Sequence, residues 1–153
     1  MTKTINIHEG NGIEFYYDFR DHIWIYIRLL LAKTDMNLGN HSVINEKSRN
    51  FIFDTGAQNT IISKRRAIEF GYVNLPVKDR VSAGGVGGGV IYCSRIEIPE
   101  MIITNKLIIH KPAILIPDDA NVSVNILGQD ILKPYSYYLD AKRQYIYFDL
   151  ENI

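Results

Sequence analysis

The chain has 153 residues and a single cysteine, Cys93, so no internal disulfide can staple it. Charge of one sign is also missing. The 17 basic residues balance 17 acidic ones, which gives no electrostatic reason to bind nucleic acid or an anionic membrane surface. The four histidines, His8, His22, His41 and His110, are scattered without metal-ligand spacing, and no metal or other cofactor is expected. Long apolar runs are lacking too: the most apolar stretch, Ile23 to Ala32, is about half of the ~20 residues a bilayer-crossing helix needs, and it carries Arg28. No basic segment followed by an apolar one opens the chain, so a soluble, reducing, cytoplasmic setting is expected. Internal repeats and low-complexity tracts are absent. A chain of this length predicts one domain, 1–153, with enough core to stand without metal or disulfide.

What is present is mostly strand. Thr4 to Ile7 and Ile13 to Phe19 are short β-like runs separated by Gly10-Asn11-Gly12, a hairpin signal, so residues 1–22 are expected to form an N-terminal hairpin. From His22 to Ala32 the pattern has period two: Ile23, Ile25, Ile27, Leu29 and Leu31 on one face, Trp24, Tyr26, Arg28 and Leu30 on the other. The aliphatic face predicts core, the aromatic face an edge or a contact surface. Residues 33–50 are polar and long, and read as an extended arm. Ser63 predicts the N-cap of a short helix, Lys64 to Phe70, closed by Gly71. Val77 to Ala83 and Val90 to Ile98 flank Gly84-Gly85-Val86-Gly87-Gly88-Gly89, read as a mobile hairpin tip. A phosphate loop fails on spacing, because no Gly-Lys-Ser/Thr follows. Pro99 to Asn105 reads as turn or loop, Lys106 to Ile116 as a strand interrupted at Pro112, Pro117 to Asn121 as a polar turn, and Val122 to Leu127 as strand. A helical turn, Gly128 to Lys133, stops at Pro134, and Tyr135 to Leu139 with Tyr145 to Leu150 forms a closing hairpin. Cys93 reads as a small buried hydrophobe with nothing to make it nucleophilic.

The stretch that asks for a chemical explanation is Phe51-Ile52-Phe53-Asp54-Thr55-Gly56-Ala57-Gln58-Asn59-Thr60-Ile61-Ile62-Ser63. Two apolar runs flank a carboxylate. Buried, a carboxylate must be hydrogen-bonded, paired or neutral; as part of a tight turn, Asp-Thr-Gly needs no further role, because Asp bonds its own backbone and Gly tolerates positive φ.

The order of elements resembles the retropepsin-like aspartic proteases: apolar strand, Asp54-Thr55-Gly56-Ala57, apolar strand, short helix, glycine-tipped hairpin, strands, Ile126-Leu127-Gly128, short helix, final hairpin. The resemblance spans roughly Ile23 to Leu150. It implies an all-β fold, a small closed barrel with one or two short helices, in which two copies form the active site. Asp54 then resembles the catalytic acid and base, Thr55 the hydroxyl that bonds across the dyad, and Gly56 the position where a missing side chain admits substrate. Ala57 and Gln58 would lie under the substrate main chain, and Gly85, Val86 and Gly87 would form the flap tip. Ile126, Leu127 and Gly128 would support the Asp54 loop from behind. Retroviral members commonly pair an acidic residue after this motif with an arginine after the second glycine. Here those positions are Gln58 and Gln129, for which an amide-to-amide hydrogen bond is expected. Only one Asp-Thr-Gly occurs, so the second carboxylate would come from a homodimer partner. The expected activity is aspartic endopeptidase action on a peptide or protein substrate. The alternative is a catalytically silent dimeric adaptor using the same cleft or the aromatic strand.

Overall fold

The computed structural model describes residues 11–32, 46–84 and 89–150. The run Thr4 to Ile7, and with it the outer half of the expected N-terminal hairpin, residues 33–45 of the expected arm, and the flap-tip residues Gly85, Val86 and Gly87 lie outside the described residues. In chain order the strands are β1 (Gly12–Tyr17), β2 (Ile23–Leu30), β3 (Glu46–Phe53), β4 (Val77–Gly84), β5 (Val90–Glu97), β6 (Glu100–Ile102), β7 (Ile108–His110), β8 (Ala113–Pro117), β9 (Ile126–Leu127), β10 (Ser136–Asp140) and β11 (Tyr145–Asp149). Two helices, α1 (Lys64–Glu69) and α2 (Gln129–Leu132), and one 3-10 turn, Tyr72–Asn74, complete the fold.

β2 is the spine, for the reason its period-two pattern gives: Ile25, Ile27 and Leu29 are fully buried while Tyr26 on the opposite face is more than half exposed. β3 pairs antiparallel along one edge of β2, from Leu30↔Glu46 to Trp24↔Ile52. The other edge is shared between β1, through Phe15↔Ile25 to Tyr17↔Ile23, and β6, through Arg28↔Ile102 and Leu29↔Met101. The sheet runs β10-β11-β1-β2-β3-β9, with β6 and β7 attached at β2. β4, β5 and β8 form a second sheet. Ile61 joins the two: it bridges parallel to Leu115 in β8 and antiparallel to Ile126 in β9. The described ladders thus trace two sheets linked at one residue, and no closed ring of strands is traced among the described residues.

Several boundaries differ from those read in the sequence. β3 begins at Glu46, so the last part of the expected 33–50 arm is strand: the polar run Glu46 to Asn50 is held extended by the full β2 ladder, which overrides its weak propensity. Within Pro99 to Asn105 a strand, β6, forms because β2 has an edge to fill. The expected single strand Lys106 to Ile116 is two, β7 and β8, broken where Lys111 adopts φ 52° before Pro112. The bend lets the Lys111 N–H reach the Pro99 carbonyl and the Pro112 carbonyl accept from Ile98. Val122 to Leu127 is strand only at Ile126–Leu127, and Thr60 to Ile62 contributes a bridge at Ile61 rather than a strand.

The Ser63 cap forms as expected, its Oγ accepting the Arg66 N–H at 3.3 Å, and Gly71 ends the helix with φ 78°. Behind α1, Tyr72 is fully buried, and its hydroxyl donates to the Leu30 carbonyl at 2.5 Å. Burial pushes its phenol pKa up. Cys93 is buried on β5, and burial, with the Asp118 charge nearby, pushes its thiol pKa up, which disfavours the reactive thiolate. Among the described residues no helix is long and apolar enough to cross a membrane.

Candidate active site

β3 ends by delivering Asp54 into a tight loop. The Asp54 N–H still donates to the Leu127 carbonyl at 3.1 Å, so the residue leaves the sheet still tied to β9. Its own carbonyl accepts the Ala57 N–H at 3.2 Å, and Oδ1 accepts the Gly56 N–H at 2.9 Å. Those are the bonds of an Asx-type turn, so the plain structural reading of Asp-Thr-Gly is realised here. It leaves much of the carboxylate's acceptor capacity open. Asp54 is half-buried, while Thr55, Gly56 and Gln58 are exposed in the isolated chain.

The loop rests on a brace made by β9 and α2. Ile52↔Ile126 and Phe53↔Leu127 form a short parallel ladder directly behind it. The first N–H groups of α2, which have no partner inside the helix, donate to the loop's carbonyls: Gln129 to Ala57 at 2.8 Å and Asp130 to Gln58 at 3.1 Å. This approach is too close for a side chain at Gly128, where a Cβ would stand 2.6 Å from the Asn59 carbonyl oxygen. Beneath the loop, fully buried Thr60 donates its hydroxyl to Asp130 Oδ1 at 2.6 Å and accepts the Gly128 N–H at 3.0 Å, while its own N–H donates to Asp130 Oδ2 at 3.0 Å. A second cross-link is Asn125, whose Oδ1 accepts the Ser63 N–H at 2.9 Å and whose amide donates to the Asn50 carbonyl at 3.0 Å.

Ile126 and Leu127 pair with the strand that leads into Asp54, Gly128 follows them at the start of α2, and Ala57 and Gln58 are bonded to α2. The amide pair does not form. Gln129 Nε2 donates to the Thr55 carbonyl at 2.8 Å, because the turn presents that carbonyl to the helix start and leaves Gln58 pointing to solvent. The Thr60–Asp130 pair was not anticipated as a unit. Its only trace in the sequence is an acid two residues after the Gly128 that opens a helix.

The profile of the gag-polyprotein putative aspartyl protease family matches residues 41–134, more than half of the chain and the whole of the segment just described. The chain belongs to this aspartyl protease family. A crystal structure of a retropepsin-like aspartic protease from Rickettsia conorii is similar over 97% of this chain and 96% of that one, with a TM-score of 0.59 and 14% sequence identity. At that identity the likeness shows the fold, which is retropepsin-like and all-β with a few short helices. No curated protein matches. The Asp54-Thr55-Gly56 triplet lies within the matched residues, at the end of β3 on the brace of β9 and α2.

Proposed function

We propose that this protein is an aspartic endopeptidase whose working form is a homodimer with the two Asp54 loops facing each other across a two-fold axis. The observation that carries the reading is the placement of the single Asp-Thr-Gly: a half-buried carboxylate on a rigid floor, with Thr55 and Gly56 exposed where a second copy could cover them. One chain supplies one such carboxylate, and hydrolysis without metal or covalent nucleophile requires both a base and an acid.

Two facing carboxylates resist ionising together and so share a proton. The ionised one takes a proton from water as it attacks the peptide carbonyl, and the protonated one donates to the carbonyl oxygen. Proton return to the amide nitrogen then releases the amine. In this reading the Gly56 N–H holds Asp54 Oδ1 in plane, Thr55 bonds across the axis, and Gly56 leaves room for substrate. Ala57 and Gln58 lie beneath the peptide. Gly85, Val86 and Gly87, which lie between β4 and β5 in the sequence, would close over it and exclude water.

Wild type and Asp54→Asn, compared on a peptide library at mildly acidic pH with and without a statine-type inhibitor, test the proposal. Cleavage should be inhibitor-sensitive and fall by about three orders of magnitude or more in the variant, and sedimentation should show a dimer. Equal cleavage by the two proteins would rule out the dyad. No cleavage by either would favour the adaptor.

A further inference from the structure

Only the last residues of β3 are covered by β9. The Ile52 and Asp54 N–H groups face β9, donating to the Asn125 and Leu127 carbonyls. By the two-residue alternation of a strand, the N–H groups of Ser48 and Asn50 point to the same edge, where among the described residues no strand pairs with them. The carbonyls on that edge are occupied, Asn50 by the Asn125 amide and Ser48 by the Arg49 guanidinium at 2.7 Å. What remains there is a row of donors.

A cleft of about 420 Å³ wraps this edge, with Tyr26, Ser48 and Asn50 from the outer face of the sheet, Arg49 from the inner face, and Arg66 and Asn125 from the segments beside it. Its charge is unbalanced, although the whole chain is neutral. Lys47, Arg49 and Arg66 all converge on the one carboxylate of Glu69. Arg49 Nε is buried and meets no acceptor among the described residues, so the guanidinium's hydrogen-bonding capacity is not filled there. Desolvation and the neighbouring Arg66 both work against the charge of Arg49. Backbone donors at strand spacing, surplus guanidinium charge and an exposed aromatic ring together describe a receptor for an extended anionic chain. A peptide fits better than nucleic acid, because the donors repeat every second residue, as the carbonyls of an added strand do.

We propose that the open edge of β3 is a second peptide-binding site, separate from the Asp54 loop, at which an extended acidic segment adds as a strand beside Ser48 and Asn50 and sets a carboxylate against Arg49 and Arg66. Ser48 lies six residues before Asp54, roughly 20 Å along the strand. Such a site would hold an acidic stretch of a protein partner away from the Asp54 loop, and it does not depend on the loop being catalytic.

The test uses the full chain carrying Asp54→Asn, so that the probe is not cut, and fluorescence anisotropy of a labelled eight-residue peptide alternating threonine and glutamate. The glutamate peptide should bind ~10-fold or more tighter than its glutamine counterpart. Arg66→Gln, on a half-exposed helical position, and Ser48→Pro, which deletes an edge N–H without changing charge, should each weaken binding by about 10-fold. Circular dichroism checks that both variants remain folded, and Arg66→Gln decides alone if Ser48→Pro does not. Equal affinity for the glutamine peptide, or no loss in Arg66→Gln, overturns the proposal. A folded Ser48→Pro protein that binds as wild type also overturns it, since the edge would then be a mere patch of charge. A single-stranded oligonucleotide that binds as tightly as the glutamate peptide overturns the choice of ligand.

Discussion

The Asp54 floor and the β4–β5 hairpin are both made of strand and turn, yet they are built on opposite principles. Under Asp54, the contacts are backbone bonds or centre on the fully buried Thr60: the β3–β9 ladder, the α2 N–H groups on Ala57 and Gln58, and Thr60 joined to Asp130 and Gly128. Along β4 most residues are exposed; Val81, Ala83 and Ile91 pack on Ile61, Cys93 and Leu115, and the polar side-chain contacts of the hairpin lie at the surface: Lys78 with Glu97 at 2.8 Å, Asp79 with Arg95 at 3.0 Å, and Arg80 with Ser94 at 2.9 Å and with Asp118. Surface pairs contribute little because water and salt screen them. The molecule thus places buried side-chain hydrogen bonds under the Asp54 loop. The polar side-chain bonds of the hairpin lie at its surface, where they are weaker ties.

That contrast predicts very unequal mutational costs. The largest should come from Thr60→Val, which keeps the side chain's shape and removes its hydroxyl. The Gly128 N–H then loses its acceptor, and Asp130 Oδ1 loses its shortest donor, around the fully buried Thr60. A loss of roughly 2–4 kcal/mol is expected from one unsatisfied buried donor and one weakened carboxylate bond. Urea unfolding measures it, and a loss under about 1 kcal/mol would mean that the backbone ladder alone holds the floor. At the hairpin, Arg95→Gln removes a half-exposed ion pair with Asp79. It should change stability by about 0.5 kcal/mol or less, and less still in high salt. A cost for Arg95→Gln that rivals Thr60→Val would erase the distinction between the two regions.

How far each region could be read in advance follows from the same difference. β2, the Ser63 cap and the closing hairpin of β10 and β11 were legible because their causes are local: a period of two, a hydroxyl three residues from an N–H, a turn between apolar runs. Asp54 was legible as a carboxylate between strands. The brace beneath it was not, since Thr60 and Asp130 stand 70 positions apart and neither is unusual in its own neighbourhood. β6 and the Glu46–Asn50 part of β3 were missed for a related reason. Glu46 to Asn50 is polar and β6 is only three residues long, directly after Pro99, and both pair as strands on the edges that β2 offers. The Gln129 amide went to the Thr55 carbonyl rather than to Gln58 because a turn's exposed carbonyl, invisible in a residue string, is the acceptor the helix start meets.

The β1–β2 turn separates burial from bond number as the cause of the contrast. Asp18 accepts from the Trp24 indole at 2.9 Å, from the Arg20 and His22 N–H groups at 2.8 and 3.0 Å, and faces the His22 ring at 3.1 Å, so its side chain is bonded more fully than that of the fully buried Thr60, yet it is only half-buried. The Trp24 bond leads the effects that lower its pKa to about 2, the backbone and His22 bonds adding to it. A depressed carboxylate pKa contributes stability that is present above the unfolded value near 4 and is lost as pH falls through the folded value. The expected result is therefore an acid-side change confined to the window from about pH 4 down to about 2. Trp24 is the chain's one tryptophan, so its fluorescence reports this carboxylate directly. The emission step near the bottom of that window should vanish in Asp18→Asn, while the variant's urea midpoint near pH 7 moves less than that of Thr60→Val. A larger midpoint shift for Asp18→Asn would show that the count of hydrogen bonds, and not their burial, sets the rigidity of this fold.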